Sequence, residues 1–301
     1  MPFIDYTISG LRLRSEIIFP ELVEASETET QVDVRLLRAE TPEALDSPVN
    51  RGVLYQAAPA QFLLQMPNIA RYWVRNGDEI LVTPAPQAQE AEIRLFLLGT
   101  VWAALLHQRG LLVLHASGIA TPEGAVIFMG RSSAGKSSLA AAFYQRGYPV
   151  LGDDVIALDV CDGRVLAFPG FPQLRLWPDM LPALEIASDS TLALRPKLPK
   201  RALPVLDGFD TQPLPVRAIY LLHSHIQDEI KLEKFEGMSR FTTLLNHTFR
   251  EKFLGGLGVR PVHFQKVSQV AQKTYVASLI RPDQSPNFEQ LFATIKRDLA
   301  I

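Results

Sequence analysis

The most informative part of the sequence is the stretch Phe128-Met-Gly-Arg-Ser-Ser-Ala-Gly-Lys-Ser-Ser138. It matches the pattern G-x-x-x-x-G-K-[ST], in which Gly130 and Gly135 are the glycines and Lys136 and Ser137 close the motif. The apolar run at 125–129 predicts a buried strand before the motif, and the sequence after it predicts a helix over 137–146. A strand, a glycine loop and a helix in this order are typical of loops that bind phosphate groups.

The residue types in this loop match the chemistry of a nucleotide phosphate. Glycines allow positive φ and a close approach of the backbone, so that N–H groups and the positive end of the helix dipole point at one anion. The lysine is predicted to reach the β- and γ-phosphates, and Ser137 to hold Mg²⁺. We therefore expect ATP and Mg²⁺ as cofactors, bound by Gly130, Arg131, Ser132, Ser133, Ala134, Gly135, Lys136, Ser137 and Ser138.

Composition restricts the class of protein. The chain has 301 residues, of which 47% are hydrophobic, enough for one large core or for a main domain with a smaller one. A net charge of -2 gives no general attraction to nucleic acid or to acidic membranes. The single cysteine, Cys161, excludes an intramolecular disulfide, and no secretory signal is visible. These features predict a cytoplasmic protein with neither a nucleic-acid nor a membrane partner.

The first part of the chain is rich in β-strand signals. Alternation predicts single strands over 4–13 and 32–36, and Asn76-Gly77 between two β-rich halves predicts a hairpin over 72–82. A polar, proline-containing stretch then follows at 83–90. We predict a small β-rich module at 1–88 and a phosphate-loop domain at 89–301.

The second part alternates helices and strands. Apolar spacing predicts a helix over 90–108, and a strand at 111–120 turns back into the strand before the phosphate loop. This hairpin predicts a mixed sheet, whereas most phosphate-loop proteins have parallel neighbours at that strand. Further strands are predicted at 152–158 and 218–222, and further helices at 239–249 and 288–299. The expected fold class is α/β.

Two adjacent carboxylates, Asp153 and Asp154, follow the loop helix at the head of an apolar segment. Phosphoryl transfer uses a carboxylate near the γ-phosphate to hold metal or to accept a hydroxyl proton, and a pair can divide these roles. The alternative is a solvated turn, which acidic residues next to glycine also favour. His115 lies in an otherwise apolar strand, where it is either catalytic or an ordinary core histidine.

Four basic residues after the acidic pair are candidates for phosphate or substrate contacts. Arg175 lies between apolar residues and could stabilise a transferring phosphate or simply pair with a carboxylate. The others belong to a basic loop, whose alternative is solvated surface; they are Lys197, Lys200 and Arg201. Arg250 and Arg281 are weaker candidates for such contacts.

Three motifs in register resemble the C-terminal catalytic domain of the HPr kinase/phosphorylase family. They are His115-Ala-Ser, Gly130-x4-Gly-Lys-Ser137 and Asp153-Asp154. The resemblance implies a phosphate-loop kinase domain of the phosphoenolpyruvate-carboxykinase-like type with a mixed sheet, and also a homo-oligomer. It implies catalytic roles for Asp153, as general base, supported by Asp154 and His115, with Lys136 on the phosphates and metal contacts from Ser137 and Asp154.

The chain departs from the family at two positions. Ser138 stands where these kinases usually carry Glu, and Gln173-Leu-Arg-Leu-Trp177 replaces the signature linked to the reverse, phosphorylase reaction. The chain looks closer to the HPr-kinase-like proteins found with peptide-modifying clusters, including kinases that phosphorylate a serine of lasso-peptide precursors. The resulting hypothesis is a kinase that phosphorylates a serine of a peptide or small protein. The alternatives are a nucleotide-binding regulatory module without catalysis and a small-molecule kinase.

Overall fold

The protein has a mixed α/β fold with a β-rich N-terminal region, as the sequence predicted at this level. The computed structural model describes residues 3–26, 31–195, 198–209, 211–225, 229–282 and 287–300. Its strands form two nine-stranded sheets and one sheet of three strands. In the described part of the chain, no helix is both long and apolar enough to cross a membrane.

The first sheet lies entirely within the N-terminal region. Its strand order is β3-β1-β2-β4-β9-β8-β7-β6-β5. The predicted hairpin at 72–82 is confirmed, because Asn76 and Gly77 have φ of 52° and 71°, the left-handed conformation that tight hairpin turns require. The single strand predicted at 4–13 is wrong: the chain reverses at Ser9-Gly10 and forms two strands. The strands are β1 Ile4–Ile8, β2 Leu11–Ser15, β3 Val23–Glu24, β4 Val34–Arg38, β5 Asn50–Arg51, β6 Tyr55–Ala58, β7 Gln61–Met66, β8 Ala70–Arg75 and β9 Glu79–Pro84.

A helical stretch follows the first sheet and covers it. Helix α1 (Glu90–Phe96) continues through a π-helical turn (Leu97–Val101) into α2 (Trp102–Gln108), so the predicted helix is present but widened in its middle. Its apolar side joins Tyr72, Val74 and other residues of the first sheet in one core cluster. This core extends past residue 88, and the division into 1–88 and 89–301 stays a prediction.

The second sheet is mixed, as the predicted hairpin requires. Strands β12, β19 and β21 are parallel, whereas β11 pairs antiparallel with both β12 and β13. The main path has the order β10-β14-β15-β19-β12-β11-β13. Strands β16, β18 and β17 form the small sheet. The strands are β10 Leu112–Leu114, β11 Ala116–Thr121, β12 Gly124–Met129, β13 Val150–Gly152, β14 Ile156–Cys161, β15 Arg164–Phe168, β16 Gln173–Leu176, β17 Leu192–Ala193, β18 Arg201–Pro204, β19 Leu214–His225, β20 Lys231–Lys234 and β21 Val276–Pro282.

Helices cover both faces of the second sheet. Two of them, α3 (Lys136–Tyr144) and α7 (Phe288–Leu299), pack on one face, and α4 (Met238–Asn246) and α6 (Arg260–Lys273) pack on the other. The short helix α5 is Leu254–Leu257. The prediction for 288–299 is confirmed, but the helix predicted at 239–249 ends at Asn246. Sequence periodicity did not predict α6, because its few buried residues leave most of its surface polar.

Candidate functional site

Two interruptions in neighbouring strands create the site. His115 separates β10 from β11, and residues 153–155 separate β13 from β14. Because β10 pairs with β14 and β11 pairs with β13, the two interruptions lie opposite each other. The strands predicted at 111–120 and 152–158 are therefore not continuous, and the breaks occur at the residues predicted to act in chemistry.

Asp153 connects three elements through its carboxylate. Its Oδ1 accepts hydrogen bonds from the hydroxyls of Ser117, at 2.5 Å, and Ser137, at 2.9 Å. Its Oδ2 accepts from the backbone N–H of Arg175 at 2.7 Å. The residue is only 4% exposed, so these donors take the place of water around the carboxylate. Asp153 therefore connects β11 and β16 to the hydroxyl that was predicted to hold the metal.

Asp154 faces a different set of groups. Its Oδ2 accepts from Nη1 of Arg175 at 2.7 Å, and its Oδ1 lies 3.4 Å from Nδ1 of His115. Burial alone would raise the pKa of Asp154, but Arg175 and the nearby cations outweigh burial and lower it. The residue also has a left-handed backbone, with φ of 72°. A non-glycine residue in this conformation is strained, which is common at functional sites.

His115 is oriented by Asp154. Its Nδ1 lies 3.1 Å from the Asp154 carbonyl oxygen and is also near the carboxylate. Both neighbours are acceptors, so this hydrogen-bond pattern assigns the ring proton to Nδ1 and leaves Nε2 unprotonated in the neutral ring. Burial lowers the pKa of His115, and the charge of Lys136 lowers it further. The imidazole is therefore neutral near pH 7.

Lys136 is bound by its own loop. Its Nζ donates to the carbonyl oxygens of Gly130 and Arg131, each at 3.0 Å. Burial lowers the pKa of Lys136, and the charge of Asp153 opposes this change. A phosphate in the loop would offer stronger, charged acceptors to the same ammonium group.

The backbone of the loop explains its glycines. Gly130 and Gly135 have φ of 150° and 97°, which side-chain-bearing residues rarely adopt. A Cβ atom at Gly130 would also lie 2.9 Å from the carbonyl oxygen of Leu222. The loop leads directly into α3, whose first turn has N–H groups without intrahelical acceptors. This arrangement suits an anion at the start of α3.

One cavity of about 260 Å³ contains these groups. Its wall includes the loop, the acidic pair and several apolar side chains. Of the predicted loop residues, Gly130, Arg131 and Ala134 are outside the wall of the cavity. The predicted residues within it are His115, Ser132, Ser133, Gly135, Lys136, Ser137, Ser138, Asp153, Asp154, Arg175 and Lys200.

The predicted basic residues separate in the structure. Arg175 and Lys200 line the cavity, and Lys200 lies 5.5 Å above the Trp177 ring. Arg201 points elsewhere, since its Nε donates to the Thr191 hydroxyl at 2.9 Å. Lys197 lies outside the described residues. Arg281 was a weaker candidate in the sequence. It nevertheless lines the cavity, and it donates to the carbonyl oxygen of Ala134 at 3.2 Å.

Sequence reasoning gave no role to several residues of the site. Ser117, a buried residue that donates to Asp153 from outside the cavity wall, could have been found, because strand alternation places it on the same side as His115, which lies two residues before it. The apolar residues of the wall had no motif that would identify them, since they come from separate parts of the chain. These are Leu139, Trp177, Met180, Leu222, Phe288 and Leu291.

The donor atoms fit a magnesium ion that a nucleotide brings with it. Within the described ranges, no three His, Cys, Asp or Glu side chains group together as a metal site. The Ser137 hydroxyl and the Asp153 carboxylate nevertheless lie 2.9 Å apart beside the loop. Mg²⁺ is commonly held by one or two protein oxygens together with phosphates and waters. The side chains of Ser137 and Asp153 could supply two such oxygens here.

Comparison with known proteins gives remote similarity to solved structures. No protein-family model and no curated protein matches the chain. Among solved structures, the Hpr(Ser) kinase/phosphatase from Coxiella burnetii is similar over 62% of this chain and 94% of its own. The TM-score is 0.32 and the sequence identity is 14%.

Proposed function

We propose that the protein is an ATP- and Mg²⁺-dependent kinase that transfers the γ-phosphate to a serine hydroxyl of a peptide or small protein. The observation that carries the proposal is the Asp153 carboxylate, which accepts a hydrogen bond from Ser137 of the loop within the cavity that also holds Asp154 and His115. A phosphate cradle, a metal-binding oxygen pair and an acid-base pair thus meet in one place. Phosphoryl transfer requires these three parts together.

On the nucleotide side, the loop and its neighbours offset negative charge. The N–H groups at the start of α3 and the ammonium of Lys136 would bind the phosphates. Ser137 and Asp153 would hold Mg²⁺, which supplies further positive charge at the β- and γ-phosphates when bound. This assigns the metal to Asp153, whereas the family resemblance implied Asp154.

On the acceptor side, the unprotonated Nε2 of His115 would receive the proton of the attacking hydroxyl, and the Asp154 carboxylate beside Nδ1 would stabilise the imidazolium that forms. Both oxygens of Asp153 already accept hydrogen bonds from protein donors, whereas the resemblance implied that Asp153 would accept the proton. Asp154 and the unprotonated Nε2 of His115 face the same cavity as the loop. Arg175, bound to Asp154, would stabilise charge on the transferring phosphoryl group.

Three finer features belong to the same proposal. The mixed sheet around the loop suits the phosphoenolpyruvate-carboxykinase-like class of phosphate-loop folds. Ser138 is buried and uncharged where the related kinases carry Glu, and Gln173 is neutral in the altered signature. We therefore propose the forward kinase reaction alone. The family resemblance leads us to propose a homo-oligomer as well, and the composition leads us to propose a cytoplasmic location.

Intact-mass spectrometry tests the function directly. The protein is incubated with ATP, Mg²⁺ and candidate acceptors, namely HPr and a set of short serine-containing peptides, beside a Lys136→Ala control. We expect a gain of one phosphate on an acceptor, and we expect the gain to disappear in the control. A phosphorylated sugar or other metabolite instead of a peptide would indicate the small-molecule kinase.

A measurement of nucleotide binding distinguishes the kinase from the remaining alternative, a nucleotide-binding regulatory module without catalysis. ATP affinity is measured by titration calorimetry in the same preparations. Binding that is lost in Lys136→Ala, combined with no phosphorylated acceptor, would contradict the kinase and indicate a nucleotide-sensing module.

A further inference from the structure

The segment 247–250, which leaves α4, fills the break in the strand at His115. The N–H of His115 donates to the His247 carbonyl oxygen at 3.2 Å, and the N–H of Phe249 donates to the Val113 carbonyl oxygen at 2.8 Å. Between them, Leu114 and Thr248 form an isolated antiparallel bridge. The chain thus supplies a short pairing partner at the point where β10 ends and β11 begins.

Phe249 packs directly on the histidine ring. The two ring centres are 5.4 Å apart and the planes differ by 24°, which is a stacked arrangement. Nδ1 of the histidine meanwhile contacts Asp154. One edge of the imidazole is therefore fixed by hydrogen bonding and one face by Phe249, which leaves few orientations for Nε2.

Other contacts hold the segment in place. The Phe249 carbonyl oxygen lies 2.8 Å from Nε2 of His107 in α2, and the Thr248 hydroxyl lies 3.0 Å from Nε2 of His263 in α6. Arg250 has a left-handed backbone with φ of 57°, and its guanidinium lies 5.0 Å from the Phe249 ring centre. The same guanidinium donates to the Thr100 hydroxyl in the π-helical turn at 2.9 Å. Elements on two sides of the segment thus fix Phe249.

We infer that Phe249 is a positioning residue: its ring, braced by Arg250, holds the His115 imidazole at the angle that phosphoryl transfer needs. This inference rests on the proposed function for its effect on rate. The position of the ring is a property of the protein alone and can be measured without turnover. A displacement of a catalytic group by about 1 Å can cost a hundredfold in rate.

The test compares Phe249→Leu with Phe249→Tyr. The leucine removes the stacking surface, and we expect kcat for transfer to fall tenfold or more while the affinity for ATP changes less than twofold. The tyrosine keeps the ring, and we expect it to keep kcat within about threefold of the wild type. Phe253→Leu is the matched control, because Phe253 is a buried phenylalanine four residues later that packs against Tyr55 and Phe62 instead. It should lower the melting temperature and leave kcat unchanged.

A double-mutant cycle shows whether Phe249 acts through His115. In a His115→Asn background, Phe249→Leu should lower kcat less than twofold further, since the group it positions is gone. Independent, multiplied losses would overturn the inference, as would a Phe249→Leu enzyme with normal kcat.

A spectroscopic measurement separates this inference from the proposed function. The His115 imidazole signals, assigned by their loss in His115→Asn, should shift in Phe249→Leu and stay near their wild-type positions in Phe249→Tyr and Phe253→Leu. Unshifted signals in Phe249→Leu overturn the positioning role. Shifted signals in a protein that phosphorylates nothing support the positioning of the ring and overturn only the kinase.

Discussion

At the scale of single residues, the acidic pair shows how two identical side chains acquire different surroundings. Asp153 accepts hydrogen bonds from two hydroxyls and a backbone amide, whereas Asp154 contacts a guanidinium and an imidazole. The sequence predicted that this pair would divide two roles, because both chemistries need a carboxylate. The residue pattern gave no basis for choosing which carboxylate would hold the metal. That depends on which of the two side chains the fold places beside Ser137.

The two asparagine variants should therefore differ. Asp153→Asn is expected to weaken Mg²⁺-dependent ATP binding, because one of the two protein oxygens for the metal loses its charge. Asp154→Asn should keep ATP affinity and lower kcat by roughly 10²- to 10⁴-fold, the usual contribution of acid-base catalysis. Magnesium titrations of ATP binding and of kcat check both. The reverse pattern would restore the general-base role that the resemblance implies for Asp153.

At the scale of elements, the space between a helix and its neighbours determines whether the helix tolerates a larger side chain. Gly256 in α5 lies against the first sheet, where an added Cβ would be 2.6 Å from Cβ of Ala57 and 2.8 Å from Cβ of Asn50. Gly99, in the π-helical turn, has no such neighbour within 4 Å. The same substitution therefore meets a collision at one position and open space at the other.

Urea denaturation of the two alanine variants should show changes of opposite sign in the free energy of unfolding. Gly256→Ala is expected to lower the free energy of unfolding by about 1–3 kcal/mol, the usual cost of overpacking. Gly99→Ala should raise it by about 0.5–1 kcal/mol, because alanine loses less backbone entropy in a helix. A stabilised Gly256→Ala protein would show that α5 does not pack on β6 as closely as described.

At the scale of the whole molecule, a buried histidine pair connects stability to pH. Burial is the main cause that lowers the pKa of His107 and of His263, in each case to about 4. In the unfolded chain, both titrate near pH 6.5. Above that pH both histidines are neutral in the folded and in the unfolded state. Their burial then does not make the free energy of unfolding depend on pH. As pH falls below 6.5 the unfolded state binds protons first, so the folded state loses stability until the folded pKa is reached.

The expected loss is about 1.4 kcal/mol per pH unit for each histidine over this range. Free energies of unfolding measured between pH 7.5 and 4.5 should therefore fall less steeply in His107→Gln than in the wild type, and least in the double variant with His263→Gln. Equal slopes in all three proteins would mean that other groups carry the acid sensitivity. Because these histidines contact Phe249 and Thr248, we also expect transfer activity to decline over the same range.

Local sequence was enough to predict the parts of the structure that depend on a few neighbouring residues. The loop at 130–135, the hairpin turn at Asn76-Gly77 and the amphipathic helix α7 all follow from local backbone preference and from short-range apolar spacing. The motif order also identified the acidic pair and His115, because the chemistry of phosphoryl transfer restricts the residue types that can serve it.

Which side chains come into contact depended on the tertiary structure. It broke two predicted strands at His115 and at Asp153-Asp154 and placed the breaks opposite each other. It turned Arg201 towards Thr191 and brought Arg281 into the cavity. It also brought Phe249 onto His115 from 134 positions along the chain. Contacts of this kind depend on the packing of whole elements, and no local pattern of residues encodes them.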